Sequence, residues 1–491
     1  MKKRRIVNSG YSGGGANLHD NVLKTWLPRH YSAVEDNDRN LQTLRDRAYD
    51  LAINNPIGAA AINSELLGVL GSGLKLYPRI KFQELGLSAE AAREWARRVK
   101  MEFEMWACSP DCDYYKRNNF YELQRIAFMS YLSDGDCFCV MRRHYPTAEM
   151  PYTMRLQLIE AARVSNPQGA GNLVSQVEML IPENQHRIIN GVEIDRQGRI
   201  CAVWVSNRIW NEPQTVRPEL RWQRVRFFGK ETGCRNVLHI CFDTRTEQYR
   251  GIPFLAPVIR QLKQVSRYGD AELASAIIKS YFSLFFIQPT SNFDFNDILP
   301  EEKDEPVVDI RDYRLGVGTI SALPRGVDVK AIDRSNAQST FSPFTDAFIK
   351  QIGAALGVSD QVLTKKFDAS YSASRAALLL AEEEFKQRRQ AFIADFCQPI
   401  YEQFLMEAIG SGRIEAAGFF EDAVKRHCWL ESSWRGTTMP HIDPQKEVNA
   451  AEKRIELGLS TREIESAALG NDFFNNAYDL REERKLMGET L

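Results

Sequence analysis

The chain has 491 residues, 44% hydrophobic and 26% charged, a globular composition with room for roughly three domains. Its 63 lysines and arginines face 64 aspartates and glutamates, a formal net charge of −1. A protein that grips nucleic acid tightly carries a basic surplus, so any such contact here is local or weak. Nine scattered cysteines exclude the dense disulfide framework of a small secreted domain and read as reduced thiols of a cytosolic protein.

Residues 1–30 open on "MKKRRIVNSGYSGGGANLHD". The tip is basic but lacks the apolar core of a signal peptide, and the stretch reads as a flexible arm. Lys2, Lys3, Arg4 and Arg5 there suit an acidic partner, nucleic acid or plain solvent. From 36 to 55, Leu41, Leu44, Ala48 and Leu51 recur at helical spacing, with Arg45 and Arg47 expected on a solvated or interface face. Pro56 ends this helix and starts the next, which the glycines at 68–73 break. Ser88 is an expected N-cap for a helix burying Ala92, Val99, Phe103 and Trp106. A third helix follows Asn119, with Leu123, Ile126 and Met129 or Ser130 inward, and stops at "SDGD".

From there to about 245 the texture turns to strands: "CFCVMRRH", "MRLQLIEA", "RICAVWVS", "RVRFFG" and "NVLHICFD" are short, β-branched or aromatic, and punctuated by Gly, Pro and Asn. Helix returns over 251–286, with one stripe at Val258, Leu262 and Val265 and another at Leu273, Ile277 and Tyr281. Residues 288–335 carry ten acidic and six basic side chains and read as an inserted irregular-to-β lobe. Phe344, Phe348, Ile352 and Leu356 then mark a helix. Phe385, Phe392, Phe396 and Phe404 mark another, kinked or restarted at Pro399. Asp443-Pro444 opens a C-terminal helical module closed at Gly458. Ser460 with Glu463 reads as a capping box for a further helix that Gly470 ends.

Motifs of catalysis are missing. The sequence has no phosphate-binding loop G-x-x-x-x-G-K-[ST], no H-E-x-x-H, no G-x-S-x-G and no dinucleotide fingerprint. Cys108 and Cys112 have no second pair at zinc spacing, and Cys137 and Cys139 share one strand face, so all four read as small buried hydrophobes. His427 and Cys428 are adjacent on a helix and do not face each other. The run "EEKDE" (301–305) reads as a solvated face, and Trp95, Trp106, Trp204 and Trp210 as core. No cofactor or metal is expected, and no enzyme activity.

Five strings, in order, carry a resemblance: "LRDRAYDLAINNPIGAAAINSELLGVLGSGLKL" (44–76), "NGVEIDRQGRICAVWV" (190–205), "HICFDTRTEQYRGIPFLAPVIRQLKQVSRYGDAELASA" (239–276), "YSASRAALL" (371–379) and "DPQKEVNAAEKRIELGLSTREIESAALGND" (443–472). Together they span about 36–475 and resemble the lambda-type portal proteins of tailed bacteriophages. The resemblance implies an α+β portal fold assembled as a cyclic ring, typically a dodecamer, at one capsid vertex of the virion, with subunits made in the host cytoplasm. Double-stranded DNA is packaged and ejected through its channel. The terminase large subunit, capsid or scaffold proteins, and head-completion or adaptor proteins are its expected partners, and no membrane is involved. Another phage structural or DNA-binding module, such as a head-completion adaptor, or a soluble enzyme with an unrecognised site in the β-rich region, is the alternative reading.

The implied layout is an arm (1–30), a wing (31–255), a first stem helix (256–286), a clip (287–338), a second stem helix (339–358), a tunnel loop (359–372), a long wing helix with its return (373–440) and a crown (441–491). The stretch "LTKKFDASYSASRAALLL" (363–380) then falls at the tunnel loop. Lys365, Lys366, Phe367, Asp368 and Tyr371 are its expected channel residues, with Ser370 or Ser372 able to cap the helix that follows. Glu301, Glu302, Asp304, Arg311, Arg314 and Arg325 are the expected partner-binding residues of the clip. A near-neutral chain with few positioned cations suits a channel in which DNA must slide, because each neutralised phosphate adds affinity.

Overall fold

The computed structural model describes residues 15–17, 19–167, 178–181, 184–209, 219–280, 284–287, 328–331, 341–367, 370–436, 444–471 and 473–487. Short-range signals explain most helix starts. A π-turn at Val34–Asp38 precedes α1 (Leu41–Asn54), later than the expected start at 36. The Asn55 side chain accepts from the Gly58 amide and caps α2 (Pro56–Val69), with Pro56 where a missing N–H costs nothing. β1 (Lys75–Pro78) leads to α3 (Ala89–Ala107), capped by Ser88. α4 (Phe120–Asp134) opens with a reciprocal Asn119–Glu122 capping box and ends at Gly135, whose φ is 91°. Its buried stripe is Leu123, Ala127, Phe128 and Leu132, whereas Ile126 is exposed. Two successive steps of three residues drift off one face of a helix with 3.6 residues per turn.

The expected strands are present: β2 (Asp136–Arg143), β3 (Met154–Ile159), β4 (Glu178–Ile181), β5 (His186–Ile189), β6 (Val192–Ile194), β7 (Ile200–Ser206), β8 (Trp222–Arg226) and β9 (Val237–Cys241). β4 and β5 are additions to the sequence reading. β5 and β6 meet at Asn190-Gly191, both at positive φ, the pair a two-residue hairpin favours. α5 (Ile259–Ser280) follows, then β10 (Leu284–Ile287), which pairs antiparallel with β11 (Asp328–Ala331), Leu284 opposite Ala331. The helix expected to reach 286 therefore gives way to a strand, whose partner lies some forty residues downstream, beyond the reach of helical periodicity.

α6 (Phe341–Leu356), α7 (Asp360–Thr364) and α8 (Tyr371–Phe392) come next. A π-turn at Ile393–Cys397 leads into α9 (Gln398–Gly410), with Pro399 in its first turn; the expected interruption is this turn. α10 (Ala423–Leu430), β12 (Ser432–Arg435), α11 (Pro444–Glu456), α12 (Arg462–Ala468) and α13 (Phe473–Leu486) complete the chain. Thr461, rather than Ser460, caps α12 by accepting from the Ile464 amide. Asp443 lies outside the described residues. Among those residues no helix is long and apolar enough to cross a membrane.

The chain forms two compact units. The first comprises the chain up to Asp46, Tyr77–Pro253 and Phe392–Ser433. It holds a three-stranded sheet, β3-β2-β9, and a five-stranded meander, β4-β5-β6-β7-β8. Phe138, Val140 and Ile159 from the first sheet pack with Ile189, Val192, Ile194, Val203 and Val205 from the second. An aromatic cluster of Phe103, Trp106, Phe120 and Phe404 joins α3, α4 and α9, with Phe103 edge-on to Phe120 and Phe404. The second unit comprises Arg47–Leu76, Phe254–Ala391 and Trp434–Leu491. Within it α5 and α6 meet through Tyr268, whose ring centroid lies 4.5 Å from that of Phe344 and 5.4 Å from that of Phe341.

Candidate nucleic-acid interface

In the second unit α6 ends at Gly357, whose φ is 71°. The Val358 amide donates back to the Gly353 carbonyl at 2.9 Å, a left-handed helix cap that satisfies the last turn. Val358 and Leu363 are buried and anchor α7, and Ser359 caps it by accepting from the Gln361 amide. The exposed tip follows. Lys365 sits at φ 55° and ψ 29°, a left-handed conformation that costs a side-chain-bearing residue about 1–2 kcal/mol. Lys366 and Phe367 are also exposed. Ser370 accepts from the Ala373 amide at 3.4 Å, the capping expected there, and α8 starts at Tyr371. The two lysines and Phe367 thus form a short cationic and aromatic tip between two capped helices. Asp368 lies outside the described residues, as do Glu301, Glu302, Asp304, Arg311, Arg314 and Arg325, the basic tip at 2–5, and Trp210.

Beneath the tip α8 grips α2. The Phe385 ring fills the space beside Gly68, where a Cβ would come within 2.4 Å of it. Arg389 donates to the Gly68 and Val69 carbonyls, both at 2.7 Å. Arg388 pairs with the fully buried Glu65 and donates to the Leu356 carbonyl at 2.9 Å. Burial pushes the Glu65 carboxyl up to about 7, against the pull of Arg388. Sequence reading missed this pair. Its one local sign is an acidic residue inside the otherwise apolar run "GAAAINSELLGVL".

A second polar centre lies inside the first unit and corrects the expectation for Arg45. That side chain is buried, not solvated. It donates to Asp136 at 2.8 Å and to the Asp134 carbonyl at 2.7 Å, whereas Arg47 is exposed. Asp136 also accepts from Arg250 at 2.7 Å and from the Gly251 amide at 3.0 Å, with His239 at 3.3 Å. Burial opposes its ionisation, yet Arg250, Arg45 and the His239 bond hold the carboxyl well below the usual range. Arg250 spends its remaining donors on the Val164, Ala161 and Asn190 carbonyls. A Cβ on Gly251 would meet the Gly135 carbonyl oxygen at 1.8 Å, so the Arg-Gly-Ile-Pro turn presses directly on the end of α4.

Other candidates fall to packing. Cys112, Cys137 and Cys139 are buried and Cys108 is exposed; burial pushes the three inner thiols up, away from the thiolate a metal or a nucleophile needs. His427 is exposed beside Glu431 while Cys428 is buried. Trp106 donates to the Met154 carbonyl, Trp95 packs on Trp429, and Trp204 donates to Glu193.

Residues 19–389 match the family described as phage portal protein, lambda family, and the chain belongs to that family. Portal protein B of Escherichia phage lambda is 25% identical over 490 residues, covering 95% of this chain and 87% of that protein. The portal protein of Escherichia phage N15 is 25% identical over 492 residues, with 95% and 88% covered. Among solved structures, a chain from the neck of an empty gene transfer agent particle is 13% identical, with 91% of this chain and 95% of that chain covered and a TM-score of 0.44.

Proposed function

We propose that the chain is the subunit of a closed portal ring at a capsid vertex, with an axial channel that passes double-stranded DNA. The observation that carries this reading is the family match over residues 19–389, which spans the paired α5 and α6 and the cationic tip. In this reading residues 359–372 line the channel, and Lys365 and Lys366, repeated around the ring, set positive charge beside the phosphate backbone. Residues 287–338 form the clip, on which the terminase large subunit docks during packaging and head-completion proteins dock later, using the charged set from Glu301 to Arg325. Capsid or scaffold proteins are further partners of the ring. The ring does no covalent chemistry; ATP hydrolysis belongs to the docked motor.

Negative-stain microscopy of the purified chain tests the assembly: closed rings with a central hole are expected, and a monomer at every concentration would refute it. Replacing Lys365 and Lys366 together by alanine should weaken DNA retention or packaging and leave rings intact. Retention and packaging equal to the wild type would remove these lysines from the channel contact.

A further inference from the structure

We infer that Arg388 is the positioning residue of the channel loop: its guanidinium, held by the buried Glu65, fixes the end of α6 from which the loop departs. The functional meaning rests on the channel-loop reading of residues 359–372; the geometry does not.

The glycine cap at Gly357 closes the last turn of α6 through the Gly353 carbonyl and leaves the Leu356 carbonyl to an outside donor. Arg388 supplies it at 2.9 Å. A second nitrogen of the same fork binds Glu65, and the guanidinium lies 5.1 Å from the centre of the Phe254 ring. Glu65 has one oxygen on Arg388, while its other has no hydrogen-bond partner among the described residues. A buried carboxylate in that position depends on its single cation, and the cation is thereby held in place. The fit is tight: a Cβ on Gly357 would come within 3.2 Å of both Arg388 and the Glu384 carboxyl. Glu384 itself is 3.8 Å from Arg388.

The device is separable from the packing around it. Arg389 and Phe385 join α8 to α2 by their own contacts, so α8 stays seated without Arg388. What is lost is the tie between α8 and the end of α6, nine residues before Lys365. Lysine would keep the charge but not the fork that serves Glu65 and Leu356 together.

Hydrogen–deuterium exchange on the full chain tests this with R388K and E65Q. Amides in 357–367 should exchange roughly tenfold faster or more in R388K, the effect of losing a hydrogen bond made by a charged group. The β3-β2-β9 sheet should be unchanged. E65Q should act in the same direction, and R388K carries the test if E65Q fails to fold. Unchanged exchange in 357–367, or acceleration spread evenly through α2 and α8, would overturn the inference. DNA retention is measured on the same rings. Faster loop exchange with unaltered retention would uphold the positioning role and overturn the channel reading.

Discussion

Asp136 shows what a single buried carboxylate can do when every neighbour answers it. Two arginines, a histidine and a backbone amide converge on it from positions 45, 239, 250 and 251. Asp136→Asn leaves two buried guanidinium groups without their counter-charge and should cost about 3–5 kcal/mol, read as a lowered denaturant midpoint. The folded carboxyl titrates below its unfolded value of 3.8. Its contribution is therefore complete above that value and fades as pH falls through the depressed one. Lys365 offers a second residue-scale test, because its charge and its backbone pull in opposite directions. Lys365→Gly relieves about 1 kcal/mol of left-handed strain while deleting a cation. Slower loop exchange together with weaker DNA retention would identify the charge as the part that touches DNA.

Elements built from neighbouring residues were legible in the sequence, and those built across distance were not. The caps at Ser88 and Asn119 and the break at Pro56 depend on residues three or four apart, and each stands where expected. Arg45 looked solvated because helical spacing says nothing of Asp136, ninety-one residues on. The end of α5 was missed because β10 answers to β11, not to its own neighbours. The candidate tip was visible as a basic break between helices, but its support was not: Arg388 and Glu65 are 323 residues apart. That support also predicts a pH response. The folded Glu65 carboxyl sits near 7, above its ordinary 4.5, with Arg388 and Glu384 as the charges facing it. Its stabilising contribution is full below about 4.5 and lost as pH rises through about 7. Acidifying from about pH 8 to about 5.5 should therefore raise the wild-type melting temperature relative to Glu65→Gln, even as Arg388 loses its counter-charge. A constant gap between the two melting curves would mean that Glu65 titrates as an ordinary carboxylate.

At the scale of the whole molecule, the second unit leaves apolar side chains uncovered on two of its helices. Leu273 on α5, and Leu379 and Leu380 on α8, are between 53% and 72% exposed. A ring of copies would give them partners. Leu380→Glu should then abolish self-association in mass photometry while leaving the helical circular dichroism of the subunit unchanged. The first unit imposes a different condition, one of timing. Its aromatic cluster needs Phe404, and its boundary runs to Ser433, although the second of its three stretches ends at Pro253. A ribosome adding about 5–20 residues per second needs roughly 10–35 s to cross that gap. Throughout that interval the nascent unit lacks its third stretch, with part of its apolar surface still open. Completion of this unit, and entry of the subunit into any assembly, therefore waits until the ribosome has passed Ser433.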